Sequence, residues 1–400
     1  MLDVAILGLG TVGSGVLEVI EKNADAISQS AAQEIRVKYI LVRRDYPGAP
    51  FEKLLTKDFS VIENDPDVRV VVETIGGVGA AYEYTKRSLM AGKSVVTANK
   101  ELVATHGYEL TQLAKKNNVN YLFEASVGGG IPIIRPLTQC LAANKIVEIY
   151  GILNGTTNYI LTEMVRSGLS FETALKNAQE RGYAEANPEA DVKGFDVCRK
   201  ICILAALSFG RHVYPRQVKT QGIENVTLAD IGYAEKLGCR VKLLGRAIHR
   251  QDDGKITAYV APHLVRGDKL IASVEGVMNG IIVRGNAIGE VMFYGAGAGK
   301  LPTASAVVAD VIDAVKHIGA RKWLSWEDGA DELIYDSALL ESRWYVRTAA
   351  GKEEVSEKFG EVEILEGPGE IVFVTPSMNE YQLKEALEGI HVLAAFRILE

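Results

Sequence analysis

Asp3-Val4-Ala5-Ile6-Leu7-Gly8-Leu9-Gly10-Thr11-Val12-Gly13 opens the chain with its clearest architectural signal. A short apolar run gives way to a GxGxxG turn. Val16, Leu17, Val19 and Ile20 then recur at helical spacing, with Glu18, Glu21 and Lys22 between them. The pattern predicts strand, glycine turn and helix, the opening of a doubly wound dinucleotide-binding sheet. Gly8 permits the tight turn, Gly10 lets a pyrophosphate approach the backbone, and Gly13 allows close contact of helix and strand. The helix N-terminus then faces the anion. Gly8, Gly10, Thr11, Val12 and Gly13 are therefore the first cofactor-binding candidates. The plain alternative is a glycine turn in an unrelated α/β domain.

A second strand is expected over residues 36–42, ending at Arg43 and Arg44. An acid at that place would hold the ribose 2′-hydroxyl of NAD, whereas guanidinium groups suit a 2′-phosphate. NADP is the expected cofactor, with Lys53 and Lys57 adding charge, and Asp45 keeps NAD open. A solvated strand end is the bland reading of the arginine pair. A third strand, 68–72, runs into Glu73-Thr74-Ile75-Gly76-Gly77. A fourth, 94–97, runs into Ala98-Asn99-Lys100-Glu101 and a helix over 102–115. Ligands of such sheets sit beyond the carboxyl ends of the strands, so Thr74 and Lys100 are site candidates. An exposed lysine at a helix start is the competing reading for Lys100. After a fifth strand, 120–123, comes Glu124-Ala125-Ser126-Val127-Gly128-Gly129-Gly130-Ile131-Pro132. A carboxylate followed by carbonyls on alternate residues suits a hard cation. A flexible hinge is the plain alternative.

The second region begins with a strand over 146–153 that ends at Asn154-Gly155-Thr156-Thr157-Asn158. A helix over 159–165 follows, with Thr156 or Thr157 as its cap. Further strands are expected over 241–247, 256–260, 279–284 and 290–294. They indicate an α+β domain with a broad, mainly antiparallel sheet, one face of which suits a twin subunit. Residues 180–200 carry charge of both signs and end in an apolar helix over 197–209. Asp196 and Lys200 are four apart, which puts both on one helix face. Glu185 and Asp191 precede them in a loop. Such a set suits a small molecule with an amine and a hydroxyl or aldehyde, and the bland reading is a solvated loop with a surface ion pair.

Gly295 to Gly299 forms a second glycine loop, and Pro302 sits in the first turn of a helix over 304–318 expected to pack on the first domain. The tail reads strand, short helix, strand, strand, helix, strand. That is a ferredoxin-like order, suited to ligand sensing or association. The expected division is 1–135 plus 300–325 for the dinucleotide, 136–299 for substrate and dimerisation, and 331–400 for the tail.

Composition narrows the function classes. The 400 residues are 48% hydrophobic and 24% charged, with a net charge of −7. This is a soluble globular profile, and no basic run or aromatic stripe points to nucleic acid. The apolar runs are far shorter than a membrane span. The N-terminus lacks the parts of a signal peptide, so a cytoplasmic protein is expected. The four cysteines, Cys140, Cys198, Cys202 and Cys239, are expected as buried free thiols of a reducing compartment. Cys198 and Cys202 share a helix face, but two thiols do not make a zinc site.

Gly8 to Gly13, Thr97 to Lys100, Glu124 to Gly130, Gly151 to Leu161, Gly182 to Glu185, Asp191 to Lys200 and Gly297 to Ala304 together resemble the homoserine dehydrogenases. The motifs occur in family order over about 1–318, and as a set they are specific. The resemblance implies interconversion of L-homoserine and L-aspartate 4-semialdehyde with NAD(P)(H), on the branch leading to threonine, methionine and isoleucine. It implies that Lys200 gives or takes a proton at the reacting oxygen, with Lys100 as a second lysine. Glu185, Asp191 and Asp196 match carboxylates that bind substrate and orient the lysine. Gly182 and Gly297 match backbone positions near the cofactor. Glu124, Val127, Gly129 and Ile131 match a sodium site. The tail resembles an ACT module but lacks the Asp-x-Pro-Gly-Val segment that usually follows its first strand. No aspartokinase-like domain precedes, so the monofunctional type is expected.

Two other readings compete. One is another two-domain NAD(P) oxidoreductase, such as an aspartate dehydrogenase-like enzyme. The other is a nucleotide-binding regulator that has lost catalysis and senses ligands through its tail.

Overall fold

Every residue of Leu2–Leu7 is buried, as expected of a central strand covered on both faces. The computed structural model describes residues 1–400 except Arg321, Trp323 and Ser325. The part of the expected 300–325 segment that falls on those three lies outside the described residues. Two compact units are present. One comprises Met1–Lys145, Cys202–Pro215 and Gly295–Gly329, the other Ile146–Ile201, Arg216–Tyr294 and Ala330–Glu400.

The first unit is built on a six-stranded parallel sheet. Its order is Leu55–Thr56, Ile35–Leu41, Leu2–Leu7, Val68–Glu73, Ser94–Thr97 and Tyr121–Leu122. The strand order reverses between Leu2–Leu7 and Val68–Glu73, which opens a crevice at their carboxyl ends. The helix Lys300–Lys316 returns to this sheet as expected. Its Ala304, Val307 and Val311 share a core with Val16, Ile20 and Val72. Gly15 permits that contact, since a Cβ there would lie 2.9 Å from the Lys300 carbonyl oxygen. Short helices at Ala24–Ala31 and Phe59–Asn64 have no counterpart in the sequence reading.

The second unit carries a ten-stranded, mainly antiparallel sheet. Its path runs Gly289–Ala296, Met278–Gly285, Ile146–Ile152, Cys239–His249, Ile256–Arg266, Val392–Leu399, Trp344–Thr348, Glu370–Val374 and Ile364–Gly367. Lys219–Thr220 pairs with Ile256–Arg266 off this path. The helix Phe195–Phe209 approaches the sheet closely over Gly245, where a Cβ would sit 2.8 Å from Val197 and 3.2 Å from Ile201. This seats the helix that carries Lys200.

The tail strands are ordered Val392–Leu399, Trp344–Thr348, Glu370–Val374 and Ile364–Gly367, each antiparallel to its neighbours within the tail. Helices Lys352–Phe359 and Glu380–Ala386 contribute to a small core around Trp344, Val355, Phe359, Phe373 and Leu383. The sequence reading separates residues 331–400 from 136–299, whereas the contacts join them in one unit. The reason is physical. Val392–Leu399 extends the larger sheet by pairing parallel to His263–Val265. Buried Asp230 also holds Arg347 at 2.7 Å and the Tyr345 hydroxyl at 3.0 Å.

Candidate active site

A cleft of about 550 Å3 lies at the crevice of the parallel sheet, lined by Gly8, Gly10, Arg43, Arg44, Thr74 and Gly76 among others. The three motif glycines differ in cause. Gly8 has φ +95°, a conformation glycine adopts freely. A Cβ at Gly13 would lie 2.1 Å from the Gly8 carbonyl oxygen, so the third glycine packs turn against helix. A Cβ at Gly10 would meet nothing within 4 Å, which leaves its backbone open to an approaching group. Thr11 and Val12 begin the helix Thr11–Lys22, whose N-terminus suits a pyrophosphate. The Thr74 hydroxyl donates to the carbonyls of Leu7 and Gly8, both at 3.0 Å, and so pins the turn.

Arg43 and Arg44 are exposed at the rim. Arg44 donates to the Tyr46 hydroxyl at 3.0 Å. Asp45, the acid that keeps NAD open, is paired with Lys57 at 2.7 Å. The cleft rim therefore presents guanidinium groups beside a carboxylate that already has a cation.

Glu73 ends its strand fully buried. Its carboxylate accepts from the Thr97 hydroxyl at 2.5 Å and from the Ile75 amide at 2.7 Å. Burial, the largest influence, raises its pKa, opposed by the Thr97, Ile75 and Gly76 donors. Thr97 accepts in turn from the Asn99 amide at 2.9 Å, and the Asn99 side chain donates to the Gly77 carbonyl at 2.6 Å. Asn99 also caps the helix Lys100–Lys116 by accepting from Leu102. Lys100 is thus the first residue of a capped helix, tied through Asn99 to the Thr74–Gly77 turn. Neither Glu73 nor Asn99 was a sequence candidate. Their signal was an acid and an asparagine at the carboxyl ends of adjacent strands.

The glycine loop after Glu124 departs from expectation. The Glu124 carboxylate accepts from the amides of Ile133 (2.7 Å), Ile134 (2.7 Å) and Arg135 (2.8 Å). Its backbone amide donates to Asp310, which also pairs with Arg135. The carboxylate is engaged by backbone donors rather than held out for a cation. Donors for a cation would therefore be the carbonyls of Glu124, Val127, Gly129 and Ile131. Such an all-oxygen set fits a hard ion. Among the described residues no group of three or more histidine, cysteine, aspartate or glutamate side chains is placed to hold a metal. The close backbone approach is made by the chain itself. A Cβ at Gly129 would lie 2.4 Å from the Gly297 carbonyl, and the Gly130 amide donates to Ala296 at 3.0 Å.

In the second unit, Lys200 and Asp196 are 7% and 2% exposed. This rules out the surface ion-pair reading. The Lys200 ammonium donates to Asp196 and to the Leu153 carbonyl, both at 2.7 Å. Asn154 completes the cluster, donating to Asp191 at 2.7 Å and to Asp196 at 2.9 Å. Its side-chain oxygen accepts from the Thr157 amide, capping the helix Gly155–Ser167. The cap is therefore Asn154 and not Thr156 or Thr157, because an N-cap oxygen must reach the amide three residues on. The Thr156 hydroxyl donates to the Tyr183 carbonyl at 2.6 Å, which fastens the loop before Glu185. Glu185 is exposed on that loop, and among the described residues its carboxylate has no protein partner. Gly182 occupies a left-handed turn, φ +73°, after the helix Phe171–Glu180. Asp191, Asp196 and Lys200 are thus joined, and Glu185 stands apart with its charge exposed.

All four cysteines are free. Cys198, Cys202 and Cys239 are buried, but Cys140 is exposed, because it ends a single π turn, Pro136–Cys140, rather than a core helix. No helix among the described residues is long and apolar enough to cross a membrane.

A family model described as homoserine dehydrogenase matches residues 132–312, and one described as homoserine dehydrogenase, NAD binding domain, matches residues 8–124. The homoserine dehydrogenase of Pseudomonas aeruginosa is 42% identical over 357 residues, 87% of this chain and 82% of that one. The Synechocystis homoserine dehydrogenase is 41% identical over 429 aligned positions, covering 99% and 97%. Among solved structures, a homoserine dehydrogenase from Thiobacillus denitrificans matches with a TM-score of 0.90 at 35% identity, over 100% of this chain and 98% of that one. A hyperthermophilic archaeal homoserine dehydrogenase in complex with NADPH matches with a TM-score of 0.65 at 28% identity, over 78% of this chain and 97% of that one.

Proposed function

Because the chain belongs to the homoserine dehydrogenase family, we propose that the Lys200 cluster is where its reaction takes and gives a proton. The enzyme is an NAD(P)-dependent oxidoreductase that interconverts L-homoserine and L-aspartate 4-semialdehyde. The nicotinamide, when bound, supplies or accepts the hydride. Everything else falls to the chain. Reduction of the aldehyde builds negative charge on its oxygen, and a held ammonium stabilises that charge and then donates its proton. Lys200 is that ammonium, oriented by Asp196 and the Leu153 carbonyl. Lys100 is assigned as a second cation for the same charge. Asp191 and Glu185 are assigned to the substrate ammonium, and Asp196 to orienting the lysine. The single observation that carries this reading is the buried contact of Lys200 with Asp196, braced by Asn154.

For the cofactor, we favour NADP over NAD. The support is the exposed pair Arg43–Arg44 and the pairing of Asp45 with Lys57. Gly8, Gly10, Thr11, Val12, Gly13 and Thr74 are assigned to the dinucleotide, with backbone contacts at Gly182 and Gly297. A sodium ion is assigned to the carbonyls of Glu124, Val127, Gly129 and Ile131. The tail is read as ACT-like on its strand order. A homodimer in the cytoplasm is the expected setting.

Homoserine oxidation measured separately with NADP and NAD tests the reading, with aspartate as the control hydride donor. Turnover on homoserine with NADP preferred supports it. Turnover on aspartate alone overturns it. Arg43→Ala with Arg44→Ala is expected to raise the KM for NADP much more than that for NAD.

A further inference from the structure

A second cavity, about 370 Å3, lies within the second unit where the tail meets the edge of Ile256–Arg266. That edge is only partly paired. Lys219–Thr220 takes up Tyr259 and Val260, and the last strand takes up His263 to Val265. Ala261 and Pro262 fall in the gap, and Pro262 has no amide hydrogen for a ladder. Leu383, Leu387, Val392 and Phe396 give the hollow an apolar wall, and Lys219, Lys384 and Glu380 stand around it.

Arg397 lines the same hollow and is 5% exposed. Its guanidinium lies over the rings of Trp344 and Tyr259, 4.2 and 5.4 Å from their centroids. It donates to the carbonyls of Leu340 (3.2 Å) and Ser337 (2.8 Å), and its Nε has no hydrogen bond among the described residues. It also donates a long hydrogen bond, 3.5 Å, to its nearest carboxylate, Glu380, which is shared with Lys219 and Lys384. The other buried arginine among the described residues, Arg347, has two carboxylates at 2.7 Å. A buried charge whose only carboxylate contact is long and shared is costly, and burial lowers the Arg397 pKa against the opposing pull of Glu380 and Asp336. Asp336 is the other acid whose charge is felt here. Lys219, Lys384 and Arg397 thus outnumber Asp336 and Glu380 by one.

An apolar hollow with an under-compensated arginine selects a small anion with an apolar body. We propose that this cavity is a binding site for a small aliphatic carboxylate, its charge against Arg397 and Lys384 and its chain against Leu383, Leu387 and Phe396.

The wall of the cavity also reaches the substrate cluster. Lys219 and Gln221 line the hollow, and the residues that follow lie against the turn at 192–194. The Ile223 amide donates to the Val192 carbonyl at 2.9 Å. A Cβ at Gly222 would sit 2.0 Å from that oxygen, and one at Gly194 would meet Thr220 and Gln221 at 3.2 and 3.3 Å. This turn joins Asp191 to Asp196. Contacts so tight transmit displacement, so an occupied cavity changes the KM for homoserine. That coupling rests on Asp191 and Asp196 being substrate residues. Binding itself does not.

Isocaproate is the probe, titrated into the full chain by calorimetry and by Tm. A Kd of about 1 mM or tighter is expected, with a rise in Tm by linkage. Isohexanol, which has the same body without the charge, is expected to bind about tenfold more weakly or worse. Ala395→Leu, which fills the hollow from the last strand, is expected to abolish binding and leave homoserine turnover without isocaproate unchanged. Arg397→Gln is expected to reduce isocaproate to the level of isohexanol. Lys384→Gln, at the exposed rim, provides the charge test should Arg397→Gln not fold, and is expected to weaken isocaproate alone. No heat and no change in Tm at about 10 mM isocaproate, equal binding of isohexanol, or binding retained in Ala395→Leu would each overturn the site. Binding with an unmoved KM for homoserine would overturn the coupling.

Discussion

The side-chain amide of Asn154 donates a 2.9 Å hydrogen bond to the Asp196 oxygen that also receives the Lys200 ammonium. One acceptor atom is shared by a neutral donor and a charged one. Asn154 gains its position from the helix it caps, so the lysine is oriented by the cap of a different helix. Asn154→Leu would remove both the cap and the brace. Loss of the cap is worth about 1 kcal/mol, and the two carboxylates would each lose a donor. The expected outcome is a fall in kcat/KM for homoserine of about a hundredfold with NADPH affinity retained, measured by steady-state kinetics and fluorescence titration. Asn154→Asp, which keeps the cap oxygen but places a third carboxylate beside Asp191 and Asp196, should be no better.

Lys200→Ala is expected to lower turnover by about a thousandfold or more, while the Kd for NADPH stays within about twofold. Loss of cofactor binding instead would assign the lysine a structural role. Some loss of stability accompanies the change, because buried Asp196 loses the Lys200 ammonium, a cost of about 3 kcal/mol or more. Thermal unfolding of Lys200→Met beside Lys200→Ala separates the missing charge from the missing volume.

On the role proposed for Lys200, aldehyde reduction uses its ammonium form as the proton donor. In homoserine oxidation the amine must shed its proton before it can accept one. Oxidation is therefore expected to rise from neutral to alkaline pH and reduction to fall, each followed by NADPH absorbance. A flat oxidation profile over that range would mean that Lys200 is not the titrating group.

Glu73→Leu is expected to affect the cofactor, since the carboxylate holds Ile75 and Thr97 on either side of the strand ends. Leaving those donors unmet costs about 1–3 kcal/mol each. A lower Tm and a raised KM for NADPH are expected, while Glu73→Gln, which preserves an acceptor for Ile75, restores both in large part. Equal damage by the two variants would point to charge rather than to hydrogen bonding.

Lys242 offers a stability test with a definite pH sign. It is buried, and burial pulls its pKa down from 10.5 to about 8. Between those values the unfolded chain holds more protons than the folded one, so this group makes stability rise with pH there. Below pH 8 both states are charged and the burial cost is felt in full. That cost is at most about 3 kcal/mol. Losing the hydrogen bonds to Val274 and Asn158 brings the expected gain of Lys242→Met to about 1–2 kcal/mol at pH 7. The gain should shrink toward pH 10. Denaturant unfolding at both pH values measures it, and a gain that grows with pH would contradict the burial argument.

Periodicity and glycine spacing alone determined the parallel sheet, the crevice at Gly8–Gly13 and Thr74, and the shared helix face of Asp196 and Lys200. These are local properties, since a strand, a tight turn and a four-residue helical step depend on residues close in the chain. Tertiary structure alone decided that the Asp196–Lys200 pair is buried, that Asn154 braces it from 42 residues away, and that the Glu124 carboxylate is taken up by residues 133–135. It also decided that the tail continues the larger sheet and leaves Arg397 beside a hollow. Burial and partner choice are set by which surfaces meet after folding. A lysine four residues from an aspartate reads the same in the sequence whether water or a sheet lies over it.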